Sequence, residues 1–262
     1  MWVVDELLEA IAHRPYPLPR RRWRMAQRWN DLLFAHWPVA AAAVAATLPD
    51  GLEVDTFDGS AWLGVVPFWM DRVRTRIAGS VALGVPGARS FAELNLRTYV
   101  RSRKSGLSGV YFYSLDAASP LAVLGARTAF HLPYFLARMR RQTSAEGWVR
   151  YSSRRVLSRR PAELEAEYGP TGPVRLSRPG DLDHFVTERY CLFTSTRRGK
   201  LLVGHIHHRQ WPLQPAEAEF RRNGLAASFG FRLPEVPPVL SFAKELEVYI
   251  WALRRDGEGR SV

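Results

Sequence analysis

The chain has 262 residues, of which 47% are hydrophobic, 24% charged and 12% aromatic. This composition is typical of a globular protein and excludes a disordered chain, and the length is sufficient for one large hydrophobic core. With 37 lysines and arginines against 25 acidic residues, the formal net charge is +12. The single cysteine excludes an intramolecular disulfide and any multi-cysteine metal site.

The positive charge is almost entirely arginine, because Lys104, Lys200 and Lys244 are the only lysines. The arginines are scattered along the chain, mostly as pairs, and the densest run lies between Arg20 and Arg24. A nucleic-acid-binding surface needs a clustered basic stripe and a motif that reads the nucleic acid. Neither pattern is present, so we expect no nucleic-acid partner.

The sequence carries no membrane or targeting signal. Its longest uncharged apolar run, Trp37 to Leu48, is shorter than the ~20 residues that span a bilayer. The acidic start of the chain is also unlike the basic start of a signal peptide. We therefore expect a cytoplasmic protein that does not contact a membrane.

The predicted elements, in chain order, describe a mainly β protein. Apolar residues at helical spacing before residue 13 predict an amphipathic helix, and prolines 15, 17 and 19 predict an extended connector after it. The next part of the pattern predicts a helix over 38–48, strands over 52–57, 61–68 and 71–77, and a hairpin of strands over 91–101 and 109–115. It then predicts a helix over 119–128, a strand over 148–156, a strand or helix over 161–168, and a loop over 169–180. The last part predicts a helix over 181–189, strands over 201–208 and 210–220, a short helix near 222–228, and a strand or helix over 243–253. About a dozen strands with few helices favour a large antiparallel sheet or β-barrel. On the strand over 71–77, the arginines Arg72, Arg74 and Arg76 are expected to face solvent.

The segment FAELNLRTYV carries the most informative alternation. Its polar side chains Glu93, Asn95, Arg97 and Tyr99 share one face of the predicted strand. The other face carries Leu94, Leu96, Thr98 and Val100, and we expect its three apolar side chains, at 94, 96 and 100, to pack against an outer layer. A solvent-facing strand would show the same alternation. However, an acid, an amide, a guanidinium and a phenol also suit an enclosed polar cavity inside a closed barrel.

Along the strand, Glu93 and Arg97 are separated by about 13 Å at ~3.3 Å per residue, so they cannot pair directly. We expect Arg97 to be buried with its guanidinium facing the cavity, close to Asn95. A buried arginine needs a partner, which would be a carboxylate of another strand or a bound anion. The planar guanidinium is well suited to hold a carboxylate with two hydrogen bonds.

Two further features are candidates for chemistry. His205 and His207 share a face of a predicted strand and could join a metal site if a third ligand came from elsewhere, whereas His208 points away. No metal-binding motif accompanies them, so we interpret the cluster as structural and expect no metal; His207 or His208 as an acid–base group is the alternative. Cys191 has no base beside it in the sequence and is expected to be a buried apolar residue.

Several long segments in the same order resemble the YqjF-like family of bacterial proteins of unknown function. They are RWNDLLFAHWPV, LPDGLEVDTFDGSAWLGVVPF, FAELNLRTYV, GVYFYSLDA, LPYFLARM, YSSRR, TERYCLF and IHHRQWPLQ. The resemblance runs from about Met25 to Trp251 and implies the acetoacetate decarboxylase-like superfamily. The implied fold is a curved antiparallel β-barrel or cone around a central cavity. The predicted helix and this resemblance together divide the chain into an N-terminal helix and connector over 1–24, a single barrel domain over 25–255, and a tail over 256–262.

The superfamily resemblance also implies site residues. Decarboxylases of this type have a cavity-lining glutamate in a segment that Phe91-Ala92-Glu93 resembles. They carry the Schiff-base lysine in a segment that Gly125-Ala126-Arg127 and the following LPYFLA resemble. In this chain Tyr134 and Phe135 stand where the lysines would be. Schiff-base decarboxylation is therefore not expected.

These observations predict a barrel whose internal polar cavity binds a small carboxylate or oxo-acid-like molecule, without a cofactor. Glu93 and Tyr134 are the candidate catalytic residues. The candidate ligand-binding residues are Arg97, Asn95, Tyr99, Tyr111, Tyr113 and Arg127. Two alternatives stay open: a lysine-independent lyase or isomerase for a keto or hydroxy acid with Glu93 as the acid–base group, and a non-catalytic scaffold. The sequence leaves the oligomeric state open.

Overall fold

A computed structural model describes residues 4–77, 80–83, 88–196 and 198–258. Within these ranges the helices are α1 (Val4–Glu9), α2 (Ala41–Ala45), α3 (Pro120–Ala129) and α4 (Leu182–Thr187), with a 3-10 turn at Ala227–Phe229. The strands of the same ranges are β1 (Met25–Val39), β2 (Leu52–Val54), β3 (Ala61–Ile77), β4 (Ser80–Leu83), β5 (Phe91–Ser102), β6 (Ser108–Ala117), β7 (Tyr134–Thr143), β8 (Val149–Arg155), β9 (Glu163–Pro170), β10 (Cys191–Ser195), β11 (Leu201–His207), β12 (Leu213–Asn223), β13 (Val239–Ile250) and β14 (Arg254–Arg255). The predicted mainly β fold is confirmed.

Individual elements differ from the sequence prediction. The two strands predicted over 61–68 and 71–77 form the single strand β3, because a bulge at Arg72, with φ 50°, bends the chain without ending its pairing to β1. The ambiguous segments over 161–168 and 243–253 are strands. The sequence pattern predicts no strand at the positions of β1, β4, β7, β10 and β14.

The strands close into a barrel. In the described part of the chain, nine strands follow one another in the order β5, β6, β7, β8, β9, β12, β13, β1 and β3, and β3 pairs back to β5. Most neighbours are antiparallel, whereas β6 and β7 pair in parallel over three residues. The nine-stranded ring leaves no free sheet edge along this path.

A second, smaller ring of strands shares part of the barrel wall. β10 pairs in parallel with β6, β11 pairs with β10, and the end of β11 pairs with β13 at Ile206 and His207. The five strands β13, β1, β3, β5 and β6 are therefore common to both rings. Because side chains alternate along a strand, this shared wall presents one face to each interior.

The apolar face of β5 lies inside the nine-stranded barrel. Leu94 and Leu96 are fully buried there in one cluster with Tyr151 and Tyr168, and Val100 packs at one end of the strand in a different cluster. The expectation that these residues pack against an outer layer was wrong. The shared wall has an interior on each side and so has no outer layer.

A bulge in β1 sets which side chains of that strand face the smaller ring. Asp31 has a left-handed backbone, with φ 50°, and the pairing of β1 with β3 shifts in this region. As a result Trp29 and Leu32 both face the smaller ring. The buried Asp31 carboxylate accepts from Arg141 Nη2 and from Lys244 Nζ, each over 2.6 Å.

The arginines of β3 do not all face solvent. Arg72 is exposed, but Arg74 is buried and Arg76 is half-buried. The chain before β1 packs back over this end of β3, and the Trp23 ring centre lies 4.3 Å from the Arg76 guanidinium. None of the helices in the described ranges is long and apolar enough to cross a bilayer.

Candidate functional site

The smaller ring encloses a cavity of about 110 Å³. A single water molecule needs roughly 10–15 Å³ of such space, so the cavity has room for a small organic molecule. Its walls come from the shared strands, from β10 and β11, from the end of α4, and from the last turn of α3 with the loop after it. Most of the lining is apolar, with polar side chains concentrated along β5.

The polar face of β5 lies in this cavity. Glu93, Asn95 and Arg97 all line it, and each is less than a tenth exposed. β5 is paired along both edges, to β3 and to β6, which fixes the direction of these side chains. Tyr134, the first residue of β7, reaches the same cavity from the opposite side of β6.

Glu93 is a buried carboxyl group paired with a phenol. Tyr134 Oη donates to Glu93 Oε2 over 2.7 Å, and Tyr151 Oη donates to the Glu93 backbone carbonyl over 2.7 Å. Burial raises the pKa of Glu93 to about 8, the charge of nearby Asp116 adds to the rise, and the Tyr134 hydrogen bond opposes it. Near neutral pH the side chain is therefore mostly a neutral acid that can donate a proton, and the smaller ionised fraction can accept one.

Arg97 is held by a chain of hydrogen bonds behind the cavity. Its Nε donates to Tyr99 Oη over 3.1 Å, and its Nη2 donates to the Val186 carbonyl over 3.1 Å. Tyr99 Oη in turn lies 2.6 Å from Nε2 of the buried His36. Burial, reinforced by the charge of Arg97, lowers the pKa of His36, so the ring is neutral and its Nε2 accepts the hydrogen bond that Tyr99 Oη donates.

A glycine makes room for this arrangement. Gly64 pairs with Arg97 across β3 and β5. A Cβ atom at this position would lie 2.7 Å from His36 Nε2 and 3.3 Å from Arg97 Cγ. A larger residue at Gly64 would therefore displace the histidine or the arginine.

The cavity contains two guanidinium groups with different partners. Arg189 Nη1 forms an ion pair with Asp55 Oδ2 at 2.5 Å, and its Nε donates to the Phe185 carbonyl. Across the described ranges, in contrast, no carboxylate lies within ion-pair distance of Arg97. The positive charge of Arg97 is thus buried with neutral partners only.

Two further polar groups of the lining lack partners within the part of the chain that the structure describes. The carboxamide oxygen of Asn95 and the indole N–H of Trp211 are both buried without a hydrogen-bond partner. Buried polar groups are almost always paired in folded proteins, and leaving one unpaired costs about 1–3 kcal/mol. A bound molecule could pair with both groups and with Arg97.

The remaining predicted residues lie outside the cavity lining. Tyr99 stands behind Arg97, as described above. Tyr111, Tyr113 and Arg127 line an open depression on the far side of Phe112 and Leu132, two residues that also line the cavity. The structure thus brings Glu93, Asn95, Arg97 and Tyr134 together and places these three residues at a neighbouring surface.

The histidine cluster and the cysteine are engaged structurally. His207 Nε2 donates to the Leu7 carbonyl over 2.6 Å, and Arg254 donates to His205 Nε2 over 2.8 Å. His208 lines the cavity and stacks on Tyr190, and burial lowers its pKa to about 3. Burial raises the pKa of the Cys191 thiol to about 12. Among the described residues, no group of three possible ligands lies close enough to hold a metal ion.

The three lysines also lie outside the cavity lining. Lys244 is bound to Asp31, Lys104 packs against Gly257, and Lys200 lines a surface depression. Sequence reasoning missed Arg189 and Trp211 as cavity residues, although both belong to segments quoted for the family resemblance, TERYCLF and IHHRQWPLQ. That resemblance was the signal that could have found them.

Comparison with solved structures identifies the fold class as acetoacetate decarboxylase-like. An acetoacetate decarboxylase-like enzyme from Sphingomonas wittichii RW1 superposes with a TM-score of 0.59 at 14% identity, covering 92% of this chain and 97% of that one. An acetoacetate decarboxylase gives 0.56 at 13% identity, covering 98% and 100%. The enduracididine biosynthesis enzyme MppR in complex with pyruvate gives 0.59 at 12% identity, covering 90% and 91%. At these identities the likeness shows the fold alone.

The sequence itself matches the DUF2071 family of uncharacterized conserved proteins over residues 26–247, and the chain belongs to that family. It is 43% identical over 249 residues to the uncharacterized protein YqjF of Bacillus subtilis strain 168, covering 95% of this chain and 99% of that protein. The predicted resemblance is confirmed.

Proposed function

We propose that the cavity binds a small organic acid whose carboxylate pairs with Arg97. The observation that carries this proposal is the buried guanidinium of Arg97, which has no carboxylate partner in the described chain, whereas Arg189 in the same cavity has one. A buried charge is stable only when it is paired and hydrogen-bonded, so the anion comes from the ligand.

Two neutral groups complete the proposed site. The Trp211 indole N–H is a donor for a second oxygen of the ligand, and the Asn95 carboxamide oxygen is an acceptor for a hydroxyl group of the ligand. The apolar lining favours a short carbon skeleton over a sugar or a nucleotide. MppR, which shares the fold, is known in complex with pyruvate, and this supports an oxo acid as the first class of ligand to test.

The experiment is a thermal-shift and calorimetric titration with pyruvate, lactate, acetoacetate and succinate. A ligand of the native state raises the melting temperature by mass action. We expect at least one acid to bind, Arg97→Met to weaken that binding at least tenfold, and Arg97→Lys to retain part of it. The matched control is Arg22→Gln, which removes an exposed arginine of the connector. Absence of binding across the panel, or unchanged binding by Arg97→Met, would refute the proposal.

A second candidate function is proton transfer at the carbon next to the carbonyl of a bound oxo acid. Glu93 and Tyr134 favour it, because a buried carboxyl group bonded to a phenol is a suitable acid–base pair. The Glu93 carboxylate would accept the proton from that carbon and later return one to it, with no change in the ligand's composition. A ligand lying along β5 with its carboxylate at Arg97 would direct its other end toward Glu93.

This activity is tested by following deuterium incorporation into 2-oxobutyrate in D2O by proton NMR. We expect exchange that rises with pH up to about 8, following the ionisation of Glu93, and that is lost in Glu93→Gln. Unchanged exchange in Glu93→Gln would exclude this residue as the base. Binding without exchange would leave the carboxylate site standing and refute the catalytic role.

A further inference from the structure

A group of basic side chains lines the protein surface immediately outside the cavity. The group, called here the basic rim, consists of Arg127, His131, Arg160, Arg198 and Lys200. They line two adjoining depressions that share Arg127 and His131, and neither lining contains an aspartate or glutamate among the described residues. The first depression also shares Phe112 and Leu132 with the cavity.

The rim is assembled from three separate segments. Arg127 belongs to the last turn of α3, Arg160 to the loop before β9, and Arg198 and Lys200 to the turn between β10 and β11. Like charges repel one another, so their convergence without an acidic residue costs free energy in the protein alone. Such an arrangement is typical of a site that is completed by an anion.

Two of the arginines are already oriented. Arg127 Nε donates to the Tyr134 carbonyl over 2.7 Å, which leaves both of its Nη groups for an external acceptor. Arg160 Nη1 donates to the Ser228 carbonyl over 3.0 Å, and its guanidinium lies 4.8 Å from the centre of the Phe229 ring. Oriented planar guanidinium groups suit the oxygens of a phosphate group.

We propose that the basic rim binds a phosphate-type anion, as a second site separate from the carboxylate site in the cavity. The rim lines open surface depressions, where water and salt weaken single charge pairs, so a monocarboxylate would gain little there. A phosphate or diphosphate group carries more charge and more acceptor oxygens, and so gains more from the several basic side chains that line each depression.

The test is isothermal titration of inorganic phosphate and pyrophosphate into the full chain at low ionic strength. We expect pyrophosphate to bind more tightly than phosphate, and acetate to bind more weakly than either. The double variants Arg127→Gln/Arg160→Gln and Arg198→Gln/Lys200→Gln should each weaken pyrophosphate binding at least tenfold, since each removes two charged donors. Arg22→Gln, an exposed arginine outside the rim, should change it less than twofold.

Arg127 donates a hydrogen bond to the Tyr134 carbonyl, so its substitution can also affect folding, and the melting temperature of each variant is therefore measured as well. The variant Arg160→Gln/Arg198→Gln is a second test of the basic rim that keeps Arg127. The absence of pyrophosphate binding, or equal weakening by the rim variants and Arg22→Gln, would overturn the proposal. Arg97→Met separates this site from the cavity: it should leave pyrophosphate binding intact while it weakens binding of the organic acid.

Discussion

Tyr134 Oη donates a 2.7 Å hydrogen bond to Glu93 Oε2 across the wall of the cavity. Tyr134 starts β7, where that strand pairs in parallel with β6, and Glu93 lies on β5 at the other edge of β6. The hydrogen bond thus joins strands on either side of β6. Its chemical consequence is a pair of groups that can share a proton, and neither group can form an imine.

The first prediction concerns the pH dependence of stability. The pKa of Glu93 is raised to about 8 from an ordinary value of 4.5, so the folded state holds this proton more tightly than the unfolded state. The contribution of Glu93 to stability is fully present below pH 4.5 and is lost as the pH rises toward 8. The loss is on the order of a few kcal/mol.

Denaturant unfolding at several pH values checks this prediction. Glu93→Gln should remove the decline of stability with rising pH. The free energy of unfolding of the variant, relative to that of the parent protein, should therefore increase steadily from pH 5 to pH 8. Tyr134→Phe is the matched control, because it keeps the carboxyl group and removes the bond that lowers its pKa. It should extend the decline to higher pH. A constant difference between Glu93→Gln and the parent protein would show that Glu93 titrates normally.

The second prediction concerns covalent chemistry. Borohydride treatment in the presence of acetoacetate or pyruvate should give no adduct, because an imine requires an amine and no lysine lines the cavity in the described chain. Intact-protein mass spectrometry measures the outcome, with an acetoacetate decarboxylase as positive control. A mass increase localised to Lys104, Lys200 or Lys244 would contradict it.

The sequence predicted the polar face of the cavity because that face lies on one uninterrupted strand. The alternation of Glu93, Asn95 and Arg97 holds through β5, and burial on both faces follows from its pairing at both edges. What local periodicity could not provide was the second ring. The pairings of β10 with β6 and of β11 with β13 join distant segments, and they bring Arg189 and Trp211 to the cavity.

Tyr111 and Tyr113 show a second limit of prediction from periodicity. The pairing of β5 with β6 shifts by one residue at this point: Leu96 pairs with Ser114, and Arg97 with Phe112. Phe112 and Leu115 therefore line the cavity, although they would lie on opposite faces of a regular strand. A bulge of this kind has no clear signal in the sequence, and it turns Tyr111 and Tyr113 toward the neighbouring depression.

The third prediction compares two buried arginines. Arg155 forms a fully buried ion pair with Asp116 at 2.7 Å, whereas Arg97 has neutral partners in the described chain. Arg155→Met leaves an unpaired buried carboxylate and should destabilise the protein by about 3–5 kcal/mol. Arg97→Met removes hydrogen bonds to neutral groups and should cost about 1–2 kcal/mol.

Urea unfolding at pH 7 without added acids measures both variants. Removing both members of the pair in Arg155→Met/Asp116→Asn should recover part of the loss, because no unpaired charge remains. If Arg97→Met destabilised the protein as much as Arg155→Met, Arg97 would be a structural charge with a partner of its own. The proposed carboxylate site would then lose its main support.

The last prediction concerns the N-terminal segment, which His207 holds in two places. Its Nε2 donates to the Leu7 carbonyl over 2.6 Å, and its Nδ1 accepts from Arg14 Nη1 over 3.0 Å. The second bond requires a neutral ring. Burial lowers the pKa of His207 to about 4, and the charges of Arg14 and His13 contribute to the decrease. The stabilisation is therefore present above about pH 6.5 and is lost as the pH falls toward 4.

Hydrogen exchange followed by mass spectrometry, corrected for the intrinsic pH dependence of exchange, should show reduced protection of residues 6–16 as the pH falls from 7 to 4.5. The loss in opening free energy should be about 1–2 kcal/mol. His207→Gln has no ring to protonate, so protection of this segment should respond less to pH. His184→Gln, outside this contact, is the control and should behave like the parent protein. Equal loss of protection in His207→Gln and the parent protein would show that another group, such as the neighbouring His205 with its pKa near 4, controls the attachment of the segment.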